Sequence, residues 1–500
     1  MKLADGKSMK EADERAICDD GIPSIRLMEN AAKALAKIAA ELAGSKKSAL
    51  IFCGTGNNGG DGFGAAVELL SMGFDVRAIL VGDRQRMTKD CAEMERRFLK
   101  LGGTLHDFDE RQDLPAESFG VVVDALFGTG FRGIISGPAA MAVEHMNRAK
   151  VPVVSADIPS GVHADTGAVL GIAVRADATV SFSMHKIGHF VEPGCVHCGE
   201  LTVADIGVPK ELLNEVSTGV FAVKGVKLPQ RPRLSHKGMF GKVFVCGGCV
   251  GYTGAPTLCA RAAVRAGAGL VSLGVPEQIY AVTAVKNDEA MPFPLPGDGS
   301  GKLGEEALSP MLEKAGWSDV TVLGPGLGRS EGLTRLVRSF VRQTENRLVL
   351  DADALFALNG ETLGELKQPA VLTPHEGEFA RLFWPVSDRL NDAKRAAKES
   401  GCIVVLKGHR TITAFPDGEV YVNTTGNPGM AKGGTGDVLA GMIAALLCVL
   451  PEKQAVPYAV WLHGRAGDLC ANTHSEYAMT ASDLIEAMPK AFLEQAETRS

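Results

Sequence analysis

Hydrophobic positions along this chain switch period many times. Residues 8–42 carry Leu27, Ala31, Ala34, Leu35 and Ile38 at helical spacing, which predicts a helical lead-in. Short apolar runs then alternate with amphipathic stretches. Ala49 to Cys53, Val76 to Val81, Gly120 to Val123, Val151 to Ala156 and Thr179 to Phe182 read as strands, with a helix from about Gly64 to Met72. Such alternation predicts a parallel sheet covered by helices on both faces. The pattern breaks at Lys224 to Lys237, where Pro229, Pro232 and a basic run read as a solvated linker. It restarts at Lys242 to Cys246 and continues through Val320–Leu323, Leu348–Leu350, Val371–Leu372 and Ile403–Leu406. Two α/β domains of three αβα layers are expected, residues 1–224 and 225–500. The run Val438 to Leu450 is too short to span a bilayer, which takes about 20 residues, and reads as a buried helix.

The polar residues that interrupt this pattern collect at strand ends, where open parallel sheets bind ligands. Gly54-Thr-Gly-Asn-Asn-Gly-Gly-Asp-Gly62 follows the first strand. Gly54, Gly56 and Gly59 fit the dinucleotide fingerprint, and Asn57, Asn58 and Asp61 add oxygen ligands and donors. Asp83 is a candidate for the acid that such a fold places after its second strand. Asp124 and Asp157 close two further strands. Singly each acid reads as a turn or helix cap; together they suggest one crevice able to take a ligand and a hard cation.

In the second half the prominent loop is Asn427-Pro-Gly-Met-Ala-Lys-Gly-Gly-Thr-Gly-Asp437. Gly433, Gly434 and Gly436 allow positive φ, so main-chain N–H groups and the helix N-terminus that follows make an anion cradle. A carboxylate there, Asp437, is costly beside phosphate unless it takes a proton from an attacking hydroxyl. The plainer reading is a helix cap. Gly324-Pro-Gly-Leu-Gly328, Asp351-Ala-Asp353, Thr373-Pro-His-Glu-Gly-Glu378 and Lys407-Gly-His-Arg-Thr411 end other strands on the same rim. Lys407 suits phosphate as a point charge, and Thr411 as a donor. His375 reads equally as a ligand-orienting group and as a structural donor. No G-x-x-x-x-G-K-[ST] stretch occurs, which excludes a P-loop protein.

Composition narrows the class. Hydrophobic residues make up 45% and charged residues 22%, as in ordinary globular proteins. The net charge of −7 excludes a basic nucleic-acid face. Met1 to Arg15 is charged and lacks an apolar core, so no signal peptide is expected. The 11 cysteines follow no small-domain framework, which suggests reduced thiols and a cytoplasmic protein. Cys195-Val-His-Cys198, with His185 and His189 near, has metal-like spacing, but no second pair follows it. Cys246-Gly-Gly-Cys249 sits in a glycine loop and reads as structural.

These motifs together carry a resemblance. Leu350-Asp-Ala-Asp-Ala-Leu, Leu372-Thr-Pro-His-Glu-Gly-Glu and the Asn427 to Asp437 loop resemble the ribokinase-like superfamily, and within it the ADP-dependent NAD(P)H-hydrate dehydratases. Asn57-Asn-Gly-Gly-Asp-Gly, Val123-Asp-Ala-Leu-Phe-Gly-Thr-Gly and Asp157-Ile-Pro-Ser-Gly resemble the NAD(P)H-hydrate epimerases, with a Rossmann-like fold. Both halves in this order resemble the bifunctional bacterial nicotinamide-nucleotide repair enzymes.

The resemblance implies an isomerase and a lyase that repair hydrated NADH and NADPH. The first half would interconvert the R and S hydrates. The second would dehydrate the S form while ADP phosphorylates the ring hydroxyl. By motif, Asn57, Asn58, Gly59, Gly60, Asp61, Gly128, Thr129, Gly130, Phe131, Arg132, Gly133, Ile134 and Asp157 would hold the hydrate in the first half. Asn58, Asp124 and Ser160 would bind K+ there. Ala255, Gly326, His375 and Asp437 would face the hydrate in the second half; Lys407, Gly408, His409, Arg410, Thr411 and Gly436 would hold ADP with Mg2+. Asp437 matches the superfamily's catalytic base, and Asp157 is the expected proton shuttle. A homo-oligomer with small-molecule partners, no nucleic acid and no membrane is expected. Two departures bear on affinity: Thr55 stands where the epimerase motif usually has Pro, and Met239 where a short polar residue is usual. The rival readings are a kinase of the same fold acting on a vitamin precursor or sugar, and a silent dinucleotide-binding scaffold.

Overall fold

The computed structural model describes residues 1–109 and 116–497. It divides into two compact units, Lys2–Val220 and Phe221–Ser500 with Met1. The helical lead-in is two helices, Gly6–Cys18 and Ser24–Ala43. The first sheet holds β1 (Ser48–Cys53), β2 (Asp75–Leu80), β3 (Thr104–Asp107), β4 (Val121–Ala125), β5 (Val153–Ala156), β6 (Ala178–Phe182) and β7 (Glu200–Ala204). They lie in the order β3-β2-β1-β4-β5-β6-β7, all parallel. The order reverses between β1 and β4, so the loops after these strands part and leave a crevice.

Strand alternation makes the three layers. Ala49, Ile51 and Cys53 of β1 face a core built with the helices Gly6–Cys18, Ser24–Ala43 and Asn57–Ser71. Leu50 and Phe52 point the other way, toward Ala142, Val143 and Met146 of the helix Gly137–Arg148. Every residue of β1 is buried, which is why this strand reads as a continuous apolar run. Burial of each such aliphatic side chain contributes about 1.5–3 kcal/mol.

The second sheet comprises β8 (Val220–Val223), β9 (Lys242–Cys246), β10 (Leu270–Pro276), β11 (Met291–Leu295), β12 (Val320–Leu323), β13 (Arg347–Leu350), β14 (Val371–Leu372), β15 (Ile403–Leu406), β16 (Ile412–Ala414) and β17 (Val420–Asn423). Their order is β11-β10-β9-β12-β13-β14-β15-β16-β17-β8. The strands from β11 to β15 are parallel, and β15-β16 and β16-β17 are antiparallel. Here the reversal falls between β9 and β12. One core joins Val243 and Val245 to the apolar helix Thr435–Leu447 and to Glu452–Ala478. Helix Leu308–Trp317 packs against β9, and Phe244, one residue out of phase with Val243 and Val245, is fully buried.

Among the described residues no helix is long and apolar enough to cross a membrane. None of the 11 cysteines is in a disulfide. Cys198 donates to the Gly194 carbonyl at 3.3 Å and His197 Nδ1 meets the Val174 carbonyl at 3.0 Å, so this pair is tied into its own turn. Among the described residues no group of three or more His, Cys, Asp or Glu is arranged to hold a metal. Burial pushes the Cys246 thiol up, consistent with a structural role.

Candidate functional site

In the first unit, Asn57 to Asp61 lie not in a loop but in the opening turn of the helix Asn57–Ser71, which starts seven residues earlier than its apolar periodicity implies. The glycines explain the fit. A Cβ on Gly59 would lie 1.9 Å from the Gly54 carbonyl oxygen, and one on Gly54 would lie 2.1 Å from that of Leu126. The helix start is thereby seated directly on the ends of β1 and β4. Asp83 sits apart from this contact, capping a short turn by accepting from Gln85 N–H at 2.9 Å.

Asp124, at the end of β4, is fully buried. Its Oδ1 accepts from Ser160 Oγ at 2.6 Å and Leu126 N–H at 3.3 Å. Its Oδ2 accepts from Ser155 Oγ and Ser160 N–H, both at 2.8 Å. Burial nonetheless outweighs these donors and raises its pKa. Ser160 Oγ also accepts Phe127 N–H at 2.9 Å, and Asn58 Oδ1 lies where a Cβ on Gly128 would come within 3.1 Å. Asn58 Nδ2 is buried without a partner. Asn58, Asp124 and Ser160 are thus brought together. The open oxygens are those of Asn58, Ser160 and the Phe127 carbonyl, since four donors already fill Asp124.

Gly128 to Ile134 form the rim. Phe131 packs on Phe127 with ring centroids 4.3 Å apart. Arg132 donates to the carbonyls of Thr129 and Phe131 at 2.9 Å and pairs with Asp165 at 3.2 Å. Gly130 and Gly133 are exposed, and Ile134 is 74% exposed.

Asp157, after β5, is buried in a left-handed conformation with φ 62°. Its carboxylate pairs with Lys186, which is fully buried. Asp61 and Asp13 face the same ammonium. Burial holds Asp61 well above the usual carboxylate range, helped by the charges of Asp157 and Asp13. Burial likewise lifts Asp13 to about 6, with Lys186 opposing and Asp157 adding to the rise. Sequence reasoning missed Lys186 and Asp13. A lysine four residues beyond the apolar end of a strand, as in Phe182-Ser-Met-His-Lys186, was the available signal; Asp13 on a charged helix gave none.

In the second unit, helix Thr435–Leu447 begins at Gly434, the one glycine of its loop's Gly433, Gly434 and Gly436 with positive φ, 97°. Gly433 and Gly436 do not use that freedom, and a Cβ on Gly433 would meet nothing within 4 Å. A Cβ on Gly436 would lie 3.4 Å from Lys407 Nζ, which places the cradle against the end of β15. Thr435 Oγ1 donates to the Met430 carbonyl at 2.9 Å, and His463 Nε2 meets the Thr435 carbonyl at 2.9 Å. Burial first, then Lys407, lowers His463 to about 4, so the ring is neutral and its N–H donates.

Asp437 lies in the first turn of this helix, where the dipole favours an anion. Its pKa is nevertheless raised to about 7, first by burial, then by the neighbouring charge of Asp351, with Lys407 opposing. Lys407 Nζ bonds Asp351 Oδ1 at 2.8 Å and stands 3.8 Å from Glu378 Oε2. Burial alone would lower the lysine; the two carboxylates exceed it and hold the ammonium up. Asp353 is committed to Gly328 N–H and Arg329, both at 2.9 Å.

His375 is exposed and caps the helix Glu376–Leu382: its Nδ1 accepts from Gly377 and Glu378 N–H at 3.0 and 3.2 Å. Its Nε2 is left toward solvent, 3.5 Å from Glu378 Oε1. Gly326, with φ 65°, lies against Ala255, a Cβ there reaching 3.2 Å from the alanine methyl. In the loop Gly408 to Arg410, Gly408 and His409 are exposed, Arg410 has φ 55°, and Thr411 Oγ1 donates to the Gly408 carbonyl at 2.9 Å. That hydroxyl closes its own loop, whereas the sequence suggested a phosphate donor. A separate cavity of about 1180 Å³, lined by Leu228, Phe240, Arg261, Leu446 and Phe492 among others, contains none of the expected site residues.

Two α/β units with acids and glycine-built loops at the carboxyl ends of parallel strands define a two-site enzyme of the nucleotide-handling class. Residues 243–490 match the family model described as NAD(P)H-hydrate dehydratase, and residues 24–188 match that of the YjeF-related protein N-terminus. The chain is 40% identical to the bifunctional NAD(P)H-hydrate repair enzyme Nnr of Moorella thermoacetica, over 98% of this chain and 96% of the relative. It is also 40% identical to the enzyme of that name from Thermofilum pendens, again over 98% and 96%. A ribokinase-like superfamily protein from Enterococcus faecalis is 30% identical, covering 56% of this chain and 97% of its own, with a TM-score of 0.49. This chain belongs to the family of bifunctional NAD(P)H-hydrate repair enzymes.

Proposed function

We infer that the chain repairs hydrated NAD(P)H, the first unit epimerising the R and S hydrates and the second dehydrating the S hydrate at the expense of ADP. The observation that carries the dehydratase reading is Asp437: a carboxylate at a helix N-terminus, beside Lys407, with its pKa raised to about 7. A base titrating near neutrality is matched to accepting a hydroxyl proton. The ring hydroxyl's proton passes to Asp437, its oxygen forms the bond to the terminal phosphorus of ADP, and AMP leaves. Phosphate then departs from the ring, pushed by the ring nitrogen's lone pair, and loss of the adjacent C–H proton restores NAD(P)H. Helix N–H groups at Gly434 to Gly436 and the Lys407 ammonium offset the phosphate charge. Gly326 and Ala255 leave a flat wall for the hydrate, and Gly408 to Thr411 give main-chain contacts to the nucleotide. Mg2+ would arrive with ADP and screen its phosphates, as is usual for a cation that keeps few protein ligands.

In the first unit Asp157 is the proposed proton shuttle. Opening the hydrated ring moves the hydroxyl proton to Asp157, makes the C–O bond double and returns the C–N pair to nitrogen, which takes a proton from solvent. Closure on the opposite face reverses each transfer. Asn57 to Asp61 and Gly128 to Ile134 would hold the hydrate. A K+ ion would be held by Asn58 and Ser160 with the Phe127 carbonyl, Asp124 supplying charge through Ser160. Small molecules, a homo-oligomeric state and a reducing cytoplasm complete the reading; light scattering checks the second.

Asp437→Asn tests the reading. ADP-dependent dehydration is expected to fall at least about 100-fold, while calorimetry still detects ADP, because the cradle is main chain. Accumulation of a phosphorylated alcohol by the unsubstituted protein, without recovered NADH, would favour a kinase instead.

A further inference from the structure

Asp157 is held on every side but one. Its left-handed φ of 62° is costly for a residue with a Cβ. Two main-chain bonds secure it there. Its N–H donates to the Val180 carbonyl at 2.8 Å, and its carbonyl meets His189 Nε2 at 2.9 Å. His189 Nδ1 accepts the Lys186 N–H at 3.1 Å, so the ring's hydrogen lies on Nε2 and is donated to Asp157. Burial, then the charges of Lys186 and His185, holds this imidazole far below its usual pKa and keeps it neutral.

The side chain is fixed as fully. Oδ1 accepts the Phe182 N–H at 3.0 Å and the Lys186 ammonium. The other two ammonium hydrogens go to the Phe182 carbonyl at 2.9 Å and Ser181 Oγ at 3.2 Å. Lys186 is 1% exposed and has no hydrogen left to offer a ligand. Oδ1 has both lone pairs engaged, which leaves Oδ2 as the oxygen able to exchange a proton. Desolvating an ammonium costs several kcal/mol, so a lysine spent wholly on one carboxylate and its strand end needs a purpose beyond packing.

We propose that Lys186 is a positioning residue for epimerisation: it fixes the Asp157 carboxylate with Oδ2 toward the hydrate, while His189 secures the main chain beneath. This rests on the epimerase reading of the first unit. Lys186 acts through Asp157 and does not itself touch substrate. The charge of the same ammonium acts on Asp13 and Asp61, opposing the rise that burial gives both carboxyls, Asp13 to about 6.

The test is a double-mutant cycle with R-to-S conversion as readout. Lys186→Met is expected to lower kcat about 100-fold with KM within about threefold. On an Asp157→Asn background the same substitution costs nothing further, since its point of action is gone. Lys186→Arg recovers part of kcat by keeping the charge. Dehydration of the S hydrate in each preparation reports that the second unit is folded, and a thermal melt reports on the first. Should Lys186→Met leave the first unit unfolded, His189→Gln carries the test, with kcat expected about tenfold lower and KM unchanged. Wild-type kcat in these variants, a change in KM alone, or a further loss on top of Asp157→Asn overturns the proposal. Absence of R-to-S conversion in the unsubstituted protein would strike the epimerase reading instead, before Lys186 is tested.

Discussion

At the scale of single residues, the two proposed chemical centres differ in what surrounds the carboxylate. Asp157 has a buried cation as its immediate partner, whereas the Lys407 ammonium near Asp437 is committed to Asp351. Burial, then the charge of Asp351, lifts Asp437 to about 7 against the opposing Lys407, and dehydration is expected to rise with pH through about 7 as the base ionises. Rate measurements at saturating ADP from pH 5.5 to 8.5 check this, and Asp437→Asn is expected to flatten the profile. The same shift has a stability consequence. A carboxyl with a folded pKa above its unfolded value binds protons more tightly when folded, so it costs stability as pH rises from about 4 through 7. Asp437→Asn removes that cost. Its melting temperature at pH 8 is expected about 2–4 °C above that of the unsubstituted protein, and equal to it or lower at pH 4.

At the scale of elements, the glycines set how closely helix and strand approach. Helix Thr435–Leu447 crosses helix Gly254–Arg265 at Gly441, where a Cβ would lie 2.1 Å from the Cys259 carbonyl oxygen. Gly441→Ala must push the two helices apart, and with them Asp437 from Ala255. A loss of about 3 kcal/mol in denaturant unfolding is expected, with dehydration impaired and epimerisation kept. Gly59→Ala, forced against the Gly54 carbonyl, is expected to do the converse in the first unit. Much of this scale could be read beforehand. Strands such as β1, apolar from Ala49 to Cys53 and buried on both faces, were visible for that reason; β3, β7 and β11, part-exposed, were not, nor were β8, β10, β16 and β17. The start of Asn57–Ser71 was not, because Asn57, Asn58, Gly59 and Gly60 are poor helix formers held in place by contact with β1 and β4. Lys186 and Asp13 escaped for a related reason. Their meaning lies in a meeting of distant segments, Gly6–Cys18 and the turn after β6, which no local pattern records. At Thr411 a loop hydroxyl offers the same signal whether it faces a ligand or its own Gly408 carbonyl.

At the scale of the whole molecule, two strand-order reversals open two rims of strand-end loops, and each is proposed to carry its own reaction. The most direct measurement is recovery of reduced nicotinamide from a mixture of R and S hydrates incubated with ADP. The unsubstituted protein is expected to convert the whole mixture, Asp157→Ala only the S fraction, and Asp437→Asn neither. Full conversion by Asp437→Asn, or loss of both reactions in a folded Asp157→Ala protein, would contradict the account.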